Sequence, residues 1–229
     1  RSQARLLSSL KSFFNYLVFE GYNKISPMEL IESPKIVSKL PDVLSIEEIK
    51  LLINNSEVNK DHGIRNSAIL ETLYGSGLRV SELINLKLSD IYYDEKLLLI
   101  QGKGNKQRLV PFGSICESKI NNYVYNFRIF KKIKKNSSDI VFLNRNGNKL
   151  TRATIFNIVK ETQMRSNIKK TISPHTFRHS FATHLLENGA DLRSIQIMMG
   201  HENITTTEVY THLDTKHLSK TLNKFHPRK

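Results

Sequence analysis

Cysteine is almost missing from this sequence: Cys116 is the only one in 229 residues. A disulfide framework is thereby excluded, as is a cysteine-rich zinc site. One thiol fits a reducing, intracellular setting. Long apolar runs are missing too. No stretch approaches the roughly 20 residues that span a bilayer. The amino-terminal segment is polar and basic and lacks the apolar core of a signal peptide. The first residue is Arg1 rather than Met, which reads as a fragment or a processed form. Acidic side chains are scarce, 21 Asp and Glu against 35 Lys and Arg, for a formal net charge of +14 and a pI of about 9.8. That excess points to a polyanionic partner, with nucleic acid the first choice. A lysine-rich, AT-biased proteome is the plainer source of the same charge. Hydrophobic residues make up 39%, enough for one large domain, or one domain plus a small one.

Periodicity sorts the chain into helical and extended stretches. Between Arg5 and Glu20, the residues Leu6, Leu7, Leu10, Phe13, Phe14, Leu17 and Val18 recur at three- and four-residue steps, which predicts an amphipathic helix ended by Gly21. Ser26-Pro27 predicts a second short helix, with Ser26 as its cap. Residues 1–33 cannot bury so much apolar surface alone, so they read as the end of a larger helical unit or as a unit that needs a partner. Residues 34–44, with Pro34 and Pro41 among lysines, read as a basic interdomain linker. The second domain is 45–229. Ser45 followed by Glu48 predicts a capping box. Ile64–Tyr74 predicts a helix broken by Gly75 and Gly77, and Ser81–Leu86 a short one. The period then changes. Ile91–Tyr93, Lys96–Gln101 and Gln107–Phe112 predict three strands, the last two joined by a glycine-rich turn that presents Lys103. Most of the remainder is helical, with a brief extended segment at Ile140–Leu143. The fold class is mainly α with a small antiparallel β-sheet. The lysine run from Lys131 to Lys135 reads as a solvated loop.

Several reactive residue types recur in distinctive contexts: Arg79 in Gly-Leu-Arg79-Val-Ser-Glu82-Leu, Lys103 in Gly-Lys-Gly-Asn, Arg178 in His175-Thr-Phe-Arg178-His179, His201 in Gly-His-Glu-Asn, and Tyr210. A tyrosine can attack phosphorus, arginines can hold the charge that builds on phosphoryl oxygens, and lysine or histidine can move the protons. Together they can cut and rejoin a phosphodiester without metal or nucleotide cofactor. Ser173-Pro174 opens a helix. His175 then falls in the first turn, where an anion is favoured, and Arg178 shares its face three residues on. Asn188-Gly189 stops that helix. Asp191 caps the next, which ends at Gly200, so His201 follows a fixed turn. Glu82 is placed to hold Arg79. A zinc reading of His175 and His179 lacks the partner glutamate and any nearby cysteine.

The segment Ser-Pro-His175-Thr-Phe-Arg178-His-Ser-Phe-Ala-Thr-His-Leu-Leu-Glu-Asn-Gly-Ala, then Met-Gly-His201, then Thr-Thr-Thr-Glu-Val-Tyr210-Thr-His, resembles the catalytic segment of the tyrosine recombinases, in their Xer branch. Gly75-Ser-Gly-Leu-Arg79-Val-Ser-Glu82-Leu is similar to the family's first arginine box, and Gly102-Lys103-Gly104-Asn105-Lys106 to its lysine hairpin. The resemblance implies a recombinase catalytic-domain fold behind part of a helical core-binding domain, whose earlier helices are absent here. It implies Tyr210 as nucleophile forming a 3′-phosphotyrosyl link, Arg79 and Arg178 as phosphate clamps, and Lys103 as the acid for the leaving 5′ oxygen. His175 would be the base, His201 a further phosphate ligand or proton relay, and Glu82 a support. Free tyrosine, with a pKa about 10, needs such help. No cofactor or metal is implied. The implied partners are double-stranded DNA at a specific site, a homo- or hetero-tetramer formed through the carboxy-terminal tail, and a second recombinase or DNA translocase. The location would be the cytoplasm, at the nucleoid. In the tail, Leu218, Leu222 and Phe225 suit a helix that docks into a neighbouring subunit; packing on its own domain is the other reading. Chromosome dimer resolution is the expected role. Mobile-element integration, relaxation of the type IB topoisomerase kind and non-catalytic DNA binding are the alternatives.

Overall fold

In the computed structural model of the protein, the described residues are 2–32, 34, 42–57, 60–102, 106–200 and 212–228. The chain divides into two compact units, 1–40 and 41–229, a division that falls within the stretch 34–44. The first unit contains α1 (Ser2–Phe19), closed by Gly21 at φ +77°. Ser26-Pro27 does not start a helix. It makes a turn in which Glu29 N–H donates to Ser26 O at 3.1 Å and Met28 N–H to Ser26 Oγ at 3.3 Å. The turn takes up residues 27–30, and Ile31 and Glu32 carry no secondary structure, so no helix is nucleated.

In the second unit the capping signals act as the sequence suggests. Ser45 caps α2 (Ile46–Asn55): Glu48 N–H donates to Ser45 Oγ, and Ser45 N–H to Glu48 Oε2 at 2.7 Å. Next, α3 (Lys60–Gly75) runs through the core, with Ala68, Ile69, Leu70, Leu73 and Tyr74 fully buried. A helix apolar on several faces must be enclosed, and α2, α5 (Ser114–Asn126) and α7 (Pro174–Glu187) enclose it. The short α4 (Val80–Asn85) follows the glycine break.

The sheet is β1 (Ile91–Tyr92), β2 (Leu97–Gln101) and β3 (Gln107–Pro111), antiparallel in that order, with Leu98 opposite Val110 and Ile100 opposite Arg108. Between β2 and β3, Gly102 N–H donates to Lys106 O at 2.7 Å. Ile140 and Leu143 form isolated bridges rather than a strand. Then come α6 (Arg152–Arg165), α7, α8 (Leu192–Met199) and α9 (His212–Phe225). Both α8 and α9 pack on β3. In this chain α9 lies against its own domain, burying Leu218 and Leu222. Beyond it, Arg228 reaches the buried Glu71 of α3 through Nε at 3.0 Å and Nη2 at 2.7 Å. Cys116 is fully buried, and burial pushes its thiol up to about 12, so it is no nucleophile. No helix among the described residues is long and apolar enough to cross a membrane.

Candidate active site

Arg79 is the N-cap residue of α4. Its own N–H donates to Glu82 Oε2 at 2.8 Å, so Glu82 acts as the acidic half of a capping box. The same carboxylate accepts Arg79 Nη1 at 2.9 Å. This local geometry holds the Arg79 guanidinium at the rim, where its side chain stays 38% exposed. The second Arg79 nitrogen, Nη2, donates to Gly200 O at 3.0 Å. Gly200 closes α8 in the left-handed region, at φ +62°.

Arg178 comes from α7. Ser173 N–H donates to Thr176 Oγ1 at 3.1 Å, and Pro174 fills the first helical position. That start leaves His175 exposed in the first turn and turns Arg178 inward. Arg178 Nη1 donates to Gly77 O at 2.6 Å, and Nη2 to Met199 O. Gly77 sits at φ +58° against Phe181; a Cβ there would lie 2.4 Å from Phe181 Cδ1. The glycine break thus presents its carbonyl to Arg178.

A third arginine completes the cluster, one that motif spacing had not singled out. Arg108 of β3 grips both oxygens of Glu82, Nη1 on Oε1 at 2.7 Å and Nη2 on Oε2 at 2.8 Å, and donates from Nε to Met198 O at 2.9 Å. It is buried. The signal was present in the alternation of β3: Arg108 shares its face with Val110 and Phe112, both buried, so a charged residue stands in an inward register.

Three guanidinium groups therefore converge on one carboxylate, with Arg178 Nη1 only 3.9 Å from Glu82 Oε2. Burial alone would raise the Glu82 carboxyl. The hydrogen bonds and charge of Arg108, and then Arg79, hold it below the usual carboxylate value. Burial and the neighbouring Arg79 charge push Arg178 down to about 10, so it remains protonated at neutral pH. One negative charge cannot neutralise three positive ones. The surplus charge includes that of the half-exposed Arg79, which suits an anion such as a phosphodiester.

Among the expected site residues, the structure brings Arg79, Glu82 and Arg178 together and leaves His175 exposed one turn before Arg178. Lys103, His201 and Tyr210 lie outside the described residues. The described neighbours of the first two are at the cluster: Gly102 lies near Arg108, and Gly200 O accepts from Arg79.

A mainly helical fold with a small antiparallel sheet that gathers three arginines on one carboxylate defines a protein suited to an anionic polymer. The sequence profile of the Phage integrase family matches residues 42–217. The chain is 43% identical over 228 residues to Tyrosine recombinase XerD of Staphylococcus haemolyticus (strain JCSC1435), covering 100% of this chain and 77% of that relative. The figures are the same for Tyrosine recombinase XerD of Staphylococcus aureus (strain Mu50 / ATCC 700699). Among solved structures, XerA recombinase superimposes with a TM-score of 0.66 at 28% identity, covering 97% of this chain and 84% of that one. XerH site-specific recombinase, bound to its difH substrate before cleavage, gives 0.63 at 25% identity, covering 82% and 51%. The Tn1549 transposon integrase shares the fold, with a TM-score of 0.73 at 21% identity over 96% and 73%. The chain belongs to the phage integrase family as a Xer-type tyrosine recombinase, an enzyme that cleaves and rejoins DNA at specific sites.

Proposed function

We propose that Tyr210 attacks a scissile phosphate of double-stranded DNA held by Arg79 and Arg178, leaving a 3′-phosphotyrosyl link and a free 5′ hydroxyl. The reading is carried by the arginine cluster on Glu82, whose excess positive charge calls for an anion at its rim. Arginine suits this role because its planar fork gives a phosphate two hydrogen bonds and stays charged. Each donor that meets the developing charge is worth about 3 kcal/mol or more in the transition state. Glu82 fixes the Arg79 fork. His175 takes the phenol proton, Lys103 protonates the departing 5′ oxygen, and His201 holds a phosphoryl oxygen or relays a proton. The bond energy is conserved in the phosphotyrosine, so a 5′ hydroxyl from a second duplex can attack it, with exchange running through a four-way junction.

Chromosome dimer resolution is the role we take for the enzyme, supported by its likeness to Tyrosine recombinase XerD, and it would act at the nucleoid. Residues 1–33 would help clamp the DNA, with 34–44 as the linker. A tetramer on DNA fits paired strand exchange, with a second recombinase or a DNA translocase as further partners. Because α9 packs in cis, docking it into a neighbour requires Leu218 and Leu222 to leave their sites. Each exposed leucine costs about 1.5–3 kcal/mol, which the receiving subunit must return.

The test is covalent trapping on a nicked suicide substrate that carries the recognised site. Tyr210→Phe should bind the DNA and form no adduct. An adduct at wild-type yield would remove Tyr210 as the nucleophile.

A further inference from the structure

We infer that Arg108 is a positioning residue for the phosphate clamp: by occupying both oxygens of Glu82 it keeps that carboxylate from drawing Arg79 and Arg178 inward. The inference rests on the proposed reading of those two arginines as phosphate ligands.

Glu82 is buried and has two oxygens to offer. Arg108 meets both with a two-pronged fork, and its third nitrogen, Nε, donates to Met198 O. Its side chain is only 6% exposed, so it faces the carboxylate rather than the surface. Arg79 is placed differently. It gives one nitrogen to Glu82 and one to Gly200 O, and its side chain stays 38% exposed at the rim. Arg178 stands 3.9 Å from Glu82 and spends its near hydrogen bonds on the carbonyls of Gly77 and Met199. The carboxylate is thus shared unequally, and the unequal sharing leaves positive charge at the rim.

Remove the Arg108 charge and the balance changes. A buried carboxylate without its main partner carries a large desolvation cost. The nearest remaining cations are Arg79 and Arg178. Both would turn toward Glu82, and the two groups meant for phosphate would be neutralised inside the protein. A lysine cannot replace the fork, because a single ammonium reaches one oxygen well and not two. Arg108 also sits against Gly200: a Cβ there would lie 3.0 Å from Arg108 Cδ and Nε. The same side chain therefore supports the turn whose carbonyl receives Arg79 and which leads on to His201.

The experiment measures single-turnover cleavage of the suicide substrate and, separately, DNA affinity, using the whole chain. Arg108→Met should slow cleavage by 100-fold or more while leaving Kd within about threefold. Adding Glu82→Gln to that variant should restore at least tenfold of the lost rate, because the carboxylate that captures the arginines is gone. A residue that only ties β3 to α8 gives no such recovery; a second change in the same cluster would leave cleavage the same or worse. Arg108→Lys, a milder change, should lie between wild type and Arg108→Met. If Arg108→Met does not fold by circular dichroism, the comparison of Arg108→Lys with Arg108→Lys/Glu82→Gln decides by the same criterion. Wild-type cleavage in Arg108→Met, or no gain in the double variant, overturns the inference. An adduct formed by the Tyr210→Phe control would instead sink the tyrosine assignment and leave the Arg108 comparison standing.

Discussion

His226 should make the carboxy-terminal tail acid-sensitive. Its ring is 2% exposed, packed 4.8 Å from the Tyr74 ring and 5.4 Å from the Phe181 ring. Nδ1 accepts from Arg228 N–H at 3.1 Å, and Nε2 has no hydrogen-bond partner. Burial lowers the imidazole from 6.5 to about 4, with the nearby His184 and Arg228 charges adding to the fall. A histidine lowered on folding binds protons more readily when unfolded. Its contribution is therefore complete above the unfolded value and is lost as pH falls toward the folded one. The whole interval corresponds to about 3 kcal/mol, of which about 2 kcal/mol is gone by pH 5. The perturbation is His226→Phe, which keeps an aromatic ring against Tyr74 and Phe181 and removes the titration. Urea unfolding followed by circular dichroism at pH 7.5, 6 and 5 should show the wild type losing about 2 kcal/mol more than the variant between the extremes. His184, itself lowered mainly by burial, is present in both proteins. Parallel stability curves would refute the reasoning.

Gly77→Ala should destabilise the fold by about 2–4 kcal/mol, adding the left-handed backbone cost to the displacement of the Phe181 ring. It should also slow cleavage, because Gly77 O is the acceptor that fixes Arg178. An unfolding free energy within 0.5 kcal/mol of wild type, measured in urea, would contradict it. DNA binding should weaken steeply with salt: if about six phosphates are neutralised, affinity falls about 10³-fold between 50 and 200 mM. A flat titration by fluorescence anisotropy would remove backbone phosphate contacts as the main source of affinity.

Local signals carried much of the fold. The capping pair Ser45 and Glu48, the Ser173-Pro174 start and the Gly200 stop each depend on residues within a few positions, so one sequence suffices to place them. Arg79 and Glu82 were legible for the same reason, three residues apart at a helix start. Arg108 was harder, since its partners, Glu82 and Met198, lie on α4 and α8. Only its inward register in β3 betrayed it. The Arg228–Glu71 pair joins residues 157 apart, and no local pattern announces it. In α9, the spacing of Leu218 and Leu222 says that a face is buried, but periodicity does not say whose surface covers it. Ser26-Pro27 misled because the same Ser-Pro pair that can start a helix also makes a simple turn, and here it does the latter.

The central claim is that the surplus charge of the arginine cluster serves the negative charge of the scissile phosphate. A suicide substrate with a neutral methylphosphonate at that position tests it most directly. Arg178→Ala should be inactive on the ordinary phosphodiester and should recover cleavage on the methylphosphonate, which has no charge for the missing guanidinium to hold. Equal inactivity on both substrates, by a variant that still folds and binds DNA, would contradict the account.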